Sequence, residues 1–301
     1  MRMDCRTFLI TFAAALFLSA CDSVDSGGKD TEPPDDFGFT PAYTEPKGTV
    51  HSGDFFPLTP GIQVPIALTL SDTTNFSVNG IDMGTPVNDG GTKVSKTTYT
   101  GRVETLAARR VILPSGAYDL VPEVTALKGQ SAGAVEYRDT VFYEKLAKAV
   151  NLRARAPQGS SREEDDDPAF LKRLPLTVGD TWGYGKTDSG ITSKGRYYVT
   201  GMESILVGGR TLSAIRLDQM GSSKGTYKDD GGATSVTFES EIHQTAWLAE
   251  GIGQVKQEWR STTTSSRVTN DNNTHVTLGQ TAVRRMVMEI TGVSGPLPKS
   301  P

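Results

Sequence analysis

The sequence predicts an all-β protein: two tandem antiparallel β-meander domains, half-barrel or sandwich-like, behind a signal peptide and a flexible tether. Segments such as Arg196-Tyr-Tyr-Val-Thr200, residues 233–242 and residues 283–290 mix β-branched and aromatic residues with partial alternation, the pattern of half-buried strands. Polar turn signals separate them, among them Asp188-Ser-Gly190, Asp229-Asp-Gly-Gly232 and Asn270-Asp-Asn-Asn273. A set of short motifs also occurs twice in the same order. Phe56-Pro-Leu-Thr-Pro-Gly61 is echoed by Leu174-Pro-Leu-Thr-Val-Gly179, Thr100-Gly101 with Glu104 by Thr200-Gly201 with Glu203, and Thr140-Val-Phe142 by Thr245-Ala-Trp247. A repeated order of this kind points to two copies of one supersecondary plan.

Residues 1–20 come first. Arg2 and Arg6 precede an apolar run from Phe8 to Leu18, and Ser19-Ala20 lead to Cys21. The run is shorter than the ~20 residues a membrane-spanning helix needs. A basic start, a short apolar core and small residues at its exit describe a secretory signal. Leu18-Ser19-Ala20-Cys21 resembles the lipobox of bacterial lipoproteins. That resemblance implies that the Cys21 thiol carries diacylglycerol and that cleavage frees an amine for a further acyl chain. Several chains, each methylene contributing about 0.8 kcal/mol, anchor far more firmly than one. Membrane contact through this lipid is therefore the expected partner, and the expected place is the cell envelope, outside the cytosol, on the inner or outer membrane of a Gram-negative bacterium. Asp22 resembles an inner-membrane retention signal of enterobacteria, a rule other lineages do not obey. The chain holds 2 cysteines, Cys5 and Cys21, so the exported part has no thiol free to form a disulfide.

Residues 21–46 read as the tether, rich in Gly, Asp and Pro with few large apolar residues; as a coil it spans on the order of 25–30 Å. Residues 47–156 form the first β domain. Within it Tyr143–Ala154 could place Leu146, Val150 and Arg153 on a helical face, but its match to residues 247–257 favours strand-turn-strand. Residues 157–169 read as an acidic linker, because the five acids of 163–167 lack the alternating spacing and turn glycine of a calcium loop. Residues 170–292 form the second β domain, and 293–301 a tail.

The second domain carries a family resemblance. Leu174-Pro-Leu-Thr-Val-Gly-Asp-Thr-Trp182-Gly-Tyr184, Gly201-Met-Glu203 and Thr245-Ala-Trp-Leu-Ala-Glu-Gly251-Ile-Gly253-Gln-Val255-Lys256 resemble the signature of the uncharacterised TapB-like bacterial lipoproteins. The resemblance covers about residues 170–260 and implies an exported antiparallel β domain with no established activity. Leu248 stands where that family has an aromatic residue. From their chemistry alone, Pro175 and Gly179 suit a tight turn. Trp182, Tyr184 and Trp247 are large enough to anchor a sheet face or to line an apolar pocket, and Gly251 and Gly253 flank a hairpin tip.

Composition narrows the function. Hydrophobic content of 36% and charged content of 22% fit a globular chain. The net charge of -4 becomes -4 - 1 = -5 once Arg2, Arg6 and Asp4 leave, so nothing attracts a nucleic acid backbone. His51, His243 and His275 are too scattered for a metal site. Gly221-Ser-Ser223-Lys-Gly225 has the letters of a nucleophile elbow, yet a hairpin-like segment follows where a helix is required. Glu104 and Glu203 read as polar strand residues. The expectation is a membrane-anchored, non-catalytic binding or envelope-assembly module, with no metal and no cofactor, meeting envelope proteins or lipid. The alternative, by fold-level analogy, is a carrier of lipid or lipoprotein acyl chains in a concave sheet like that of the LolA/LolB carriers.

Overall fold

The computed structural model describes residues 37–78, 81–82, 93–130, 136–158, 163–188, 190–228, 234–271 and 274–292. The first half contains β1 (Val50–His51), β2 (Gln63–Val78), β3 (Ile81–Asp82), β4 (Lys93–Thr105), β5 (Arg109–Leu113), β6 (Gly116–Gly129), β7 (Glu136–Lys145), β8 (Ala149–Pro157) and β9 (Glu163–Arg173). The second contains β10 (Leu176–Thr177), β11 (Thr181–Asp188), β12 (Ile191–Val207), β13 (Arg210–Lys228), β14 (Thr234–Ala249), β15 (Gly253–Asp271) and β16 (Thr274–Ile290). Among the described residues every element is a strand and every pairing is antiparallel, so the all-β reading holds. Residues 143–154 are strand, turn and strand, with no helix.

One large sheet runs in the order β11-β12-β13-β14-β15-β16-β2-β4-β6-β7-β8-β9 and stays open, because β9 and β11 do not pair. The meanders are therefore joined edge to edge. The last strand of the second, β16, pairs with the first strand of the first, β2, from Ile66↔Ile290 to Val78↔Leu278. The acidic residues 163–167, expected in a linker, begin β9, where Arg155 faces Glu163 and Ala154 faces Glu164. Backbone pairing to β8 holds this segment in the sheet although its side chains give no strand signal.

The doubled motifs fall on corresponding strands. Thr100-Gly101 lies on β4 and Thr200-Gly201 on β12; Thr140–Phe142 lies on β7 and Thr245–Trp247 on β14. Both copies of this last motif end at a register shift, between Phe142 and Tyr143 against β8 and between Trp247 and Leu248 against β15. An extra residue at such a bulge bends the strand and increases its twist. The repeated bulges thus bend both meanders at the same point in their plan.

Alternation then sorts the two faces. Ile62, Val64, Ile66 and Leu68 are buried on the inner face of the curled sheet, while the residues between them are partly exposed. Across the concave side, Leu152 of β8 packs in one cluster with Trp182, Tyr197, Ile215 and Leu248 of the second meander. The outer face is covered twice. Val111, Leu113 and Leu120 of the β5–β6 hairpin pack on Phe142 and Ala154 of β7 and β8. Over β12–β14 the cover is residues 37–47, which come from the N-terminus. Phe39 lies 5.3 Å from the Tyr198 ring and 5.4 Å from His243. Thr44 N–H donates to the Thr200 carbonyl at 2.9 Å. The Glu45 carboxylate accepts the Met202 N–H at 3.0 Å and pairs with His51 Nε2 at 2.7 Å. Residues 37–46, expected within the tether, are thus docked through the rings of Phe37, which lies under the Lys194 ammonium, and Phe39, and through Thr44 and the Glu45 carboxylate.

Candidate functional site

The concave side of the sheet holds a cavity of about 250 Å³. Strand periodicity builds its wall: side chains two apart on one strand share a face, so each strand contributes alternate residues. From the first meander come Val64, Ile66 and Leu68 of β2, Tyr99 and Val103 of β4, Leu127 of β6, and Tyr137, Asp139, Val141 and Tyr143 of β7. From the second come Leu217 and Gln219 of β13, Gln244 and Ala246 of β14, Gln257 of β15, and Met286 and Met288 of β16. The two methionines supply unbranched, adaptable surface.

A loop ahead of β2 contributes Phe56, Pro57 and Leu58 to the lining. It is fastened to both meanders. Gly251 N–H, at the β14–β15 tip, donates to the Asp54 carbonyl at 2.8 Å. Lys145 Nζ, at the end of β7, donates to the Asp54 carboxylate at 3.0 and 3.1 Å and to the Phe56 carbonyl at 2.8 Å.

Polar groups occupy two parts of the wall. On β7, Asp139 is 3% exposed and accepts from Arg155 Nε at 2.8 Å and from Arg155 Nη2, both on Oδ2. Beside it the Tyr143 hydroxyl donates to Glu123 Oε1 at 3.5 Å. Burial, with the carboxylates of Glu123 and Asp139 nearby, holds the Tyr143 phenol well above its usual 10.0. Burial likewise raises Tyr137. On the opposite meander, Gln219 faces Gln244 across the β13–β14 pairing, and Gln257 faces the neighbouring Ala246. These three glutamines are 2%, 6% and 0% exposed. Gln254 Nε2 donates to Gln257 Oε1 at 3.2 Å. The wall therefore combines a broad apolar surface with a few buried hydrogen-bonding groups, the general constitution of a small-molecule site.

Sequence reasoning picked out other residues. Cys21 lies outside the described residues, as does the side chain of Tyr184. Trp182 stacks on Tyr197 with ring centroids 5.3 Å apart, inside the core cluster of the second meander. Trp247 packs with Val207 and Ala214, donates its Nε1 proton to Glu203, and lies 5.1 Å under the Lys256 ammonium. Neither tryptophan lines the cavity. Glu203 and Glu104 sit on different strands, and Glu104 faces Arg102 at 3.7 Å. Ser223 lies within β13, its hydroxyl 2.9 Å from that of Ser193 across the strand pair. His51 pairs with Glu45, His243 meets Phe39, and the His275 side chain lies outside the described residues. Among the described residues no three of His, Cys, Asp or Glu come together as a metal site.

Sequence reasoning did not find the glutamines or Asp139. Their only signal was a polar residue at an inward position of an apolar alternation, which is unreadable until the register is known.

No protein-family model and no curated protein matches the chain. Similar solved structures exist. A candidate lipoprotein of Parabacteroides distasonis is 10% identical over 81% of this chain and 100% of its own, with a TM-score of 0.33. A candidate exported protein of Bacteroides fragilis with a YmcC-like fold is 10% identical over 80% of this chain and 99% of its own, at 0.29. An outer-membrane channel of Pseudomonas putida is 12% identical over 80% of this chain and 100% of its own, at 0.22. At these TM-scores no role passes from those proteins to this chain.

Proposed function

We propose that the chain is a lipid-anchored, non-catalytic binding protein of the cell envelope that holds an apolar ligand on its concave sheet. The observation that carries the binding reading is the cavity: aliphatic, tyrosine and methionine side chains from both meanders converge on it, with a small set of buried polar groups among them. The anchor reading rests on Leu18-Ser19-Ala20-Cys21 and its resemblance to a lipobox. The TapB-like resemblance of residues 170–260 points the same way. Docking of residues 37–46 shortens the reach of the anchor. From Cys21 to Phe37 the chain covers at most about 55 Å when fully extended, which keeps the sheet within reach of one bilayer face.

The binding experiment uses protein beginning at Asp22, purified and measured by native mass spectrometry. Co-purified lipid, or uptake of lipid from vesicles, supports the reading; lipid-free protein that takes up none overturns it. The anchor is tested separately in cells fed labelled palmitate. Wild type should carry label and fractionate with membranes, and Cys21→Ser should do neither.

A second reading, an assembly module, has one feature in its favour. Among the described residues β9 and β11 are the end strands of the sheet, and such edges accept an added strand from another chain. Cross-linking in membranes that traps a partner on β9 or β11 would favour it.

A further inference from the structure

The cavity's polar groups select among apolar ligands, an inference that rests on the binding role proposed above. We infer that the cavity takes a single acyl chain ending in an uncharged, hydroxyl-bearing ester head, the chemistry of a monoacylglycerol.

Two buried atoms carry the argument. Gln257 is 0% exposed; Gln254 satisfies its Oε1, while its Nε2 has no hydrogen-bond partner among the described residues. A buried amide donor left unpaired is costly, so it calls for an acceptor such as an ester or hydroxyl oxygen. Asp139 is 3% exposed, and Arg155 engages only its Oδ2; Oδ1 has no partner among the described residues. A buried carboxylate oxygen calls for an O–H or N–H donor. Both residues line the cavity. A head offering both an ester carbonyl and a hydroxyl carries a complementary group for each of these two atoms.

Charge excludes the commonest alternative. The lining contains the carboxylates Glu123 and Asp139 and no Lys, Arg or His. Of the cations beside the lining, Arg155 is committed to Asp139 and Lys145 to Asp54. An ionised fatty acid would bury a second carboxylate beside that of Asp139, with the half-buried Glu123 near by and no cation of the lining to meet it, which is strongly unfavourable. A cationic amine would suit Asp139 but leave the Gln257 amide unpaired. Size limits the number of tails. At about 30 Å³ for each small group, 250 Å³ holds roughly eight groups, enough for the head and the near part of one chain but not for two chains, the rest of a longer chain lying along the open concave side.

The test compares three probes sharing one ten-carbon chain, namely 1-monodecanoylglycerol, decanoate and decylammonium. Each is titrated below its aggregation concentration into the protein beginning at Asp22 at pH 8, by calorimetry and native mass spectrometry. The ester should bind at least tenfold more tightly than either charged probe. Equal or tighter binding of decanoate or decylammonium overturns the head-group inference and leaves the apolar-ligand role standing. Failure of all three overturns that role as well. Gln257→Met keeps the volume and removes the donor, so a folded variant should bind the ester about 5–10-fold more weakly and decylammonium as before. An unchanged ester affinity in a folded Gln257→Met protein removes Gln257 from the account. The wild-type comparison decides the matter even where that variant does not fold.

Discussion

The two meanders seal their outer faces by different means. The first folds its own hairpin back: β5 and the start of β6 lay Val111, Leu113 and Leu120 over Phe142 and Ala154. These residues are near in the chain. The second meander borrows its cover from residues 37–47, whose contacts with Thr200 and Met202 span more than 150 positions. The duplicated Thr-Gly step records the difference. A Cβ on Gly101 would run into the Ala126 carbonyl of the adjoining β6 strand, a clash internal to the sheet. Gly201, at φ +124°, would place its Cβ 2.5 Å from Thr44 Oγ1 of the borrowed cover. One motif therefore serves two purposes, strand-to-strand approach in the first copy and docking of the N-terminal segment in the second. The cover of the second meander, unlike that of the first, thus comes from a segment far away in the chain.

The comparison breaks most visibly at the local seal. Phe142 is 1% exposed beneath the hairpin, and Phe142→Ala should cost about 3–5 kcal/mol through lost transfer energy and the cavity left behind. Urea denaturation at neutral pH measures it. A loss below about 1 kcal/mol would mean that the hairpin does not seal β7 and β8.

Glycine substitutions sharpen the contrast further. Gly101→Ala should destabilise the protein to the same extent whether or not residues 22–47 are present, since its clash lies within the sheet. Gly201→Ala should cost about 1–3 kcal/mol from strain at a left-handed backbone plus the displaced cover. Part of that cost should vanish in protein beginning at Gly48. The shortened background forms a double-mutant cycle, and a coupling near zero for Gly201 would show that Thr44 does not pack there.

These contrasts indicate how much could be read from the chain beforehand. The β class was legible because β-branched and aromatic residues crowd segments such as Arg196-Tyr-Tyr-Val-Thr200, and because Asp188-Ser-Gly190 and its like mark turns. The motif copies were legible too, and they fall on matching strands. Residues 163–167 were not, because five acids carry no strand preference and their pairing with β8 is set by the partner. Nor was the docking of 37–46, which depends on Phe39, Thr44 and Glu45 meeting residues far along the chain. The cavity was hidden for the same reason. Gln219, Gln244 and Gln257 become neighbours only through the registers of β13, β14 and β15. Trp182 and Trp247 drew attention by size, yet they pack in the core clusters around the cavity without entering its lining.

A smaller effect is expected where the borrowed cover is only half-buried. Phe39 contacts Tyr198 and His243 on the outer face, so Phe39→Ala should cost about 1 kcal/mol, less than a fully buried aromatic. Limited proteolysis should then cut within 37–47 well before any cut in β5 or β6. Equal susceptibility of the two covers would erase the distinction between them.

The smallest expected effect concerns acid. Desolvation tends to raise the Glu45 carboxyl, but the Met202 N–H and His51 outweigh it, and Glu45 titrates below its ordinary 4.5. A depressed carboxylate favours the docked state above its unfolded value and loses that contribution as pH falls through the folded one. Docking should therefore be unaffected near neutrality and weaken below about pH 4.5. Hydrogen exchange reads this directly, because the Met202 amide donates to the Glu45 carboxylate. Corrected for intrinsic rates, its protection should fall a few-fold between pH 6 and pH 3.5, while the amides of β5 and β6 keep theirs. Glu45→Gln should flatten that dependence at the lower level of protection. A parallel loss in the β5–β6 hairpin would instead indicate general acid unfolding and would assign Glu45 no particular part in holding residues 37–47.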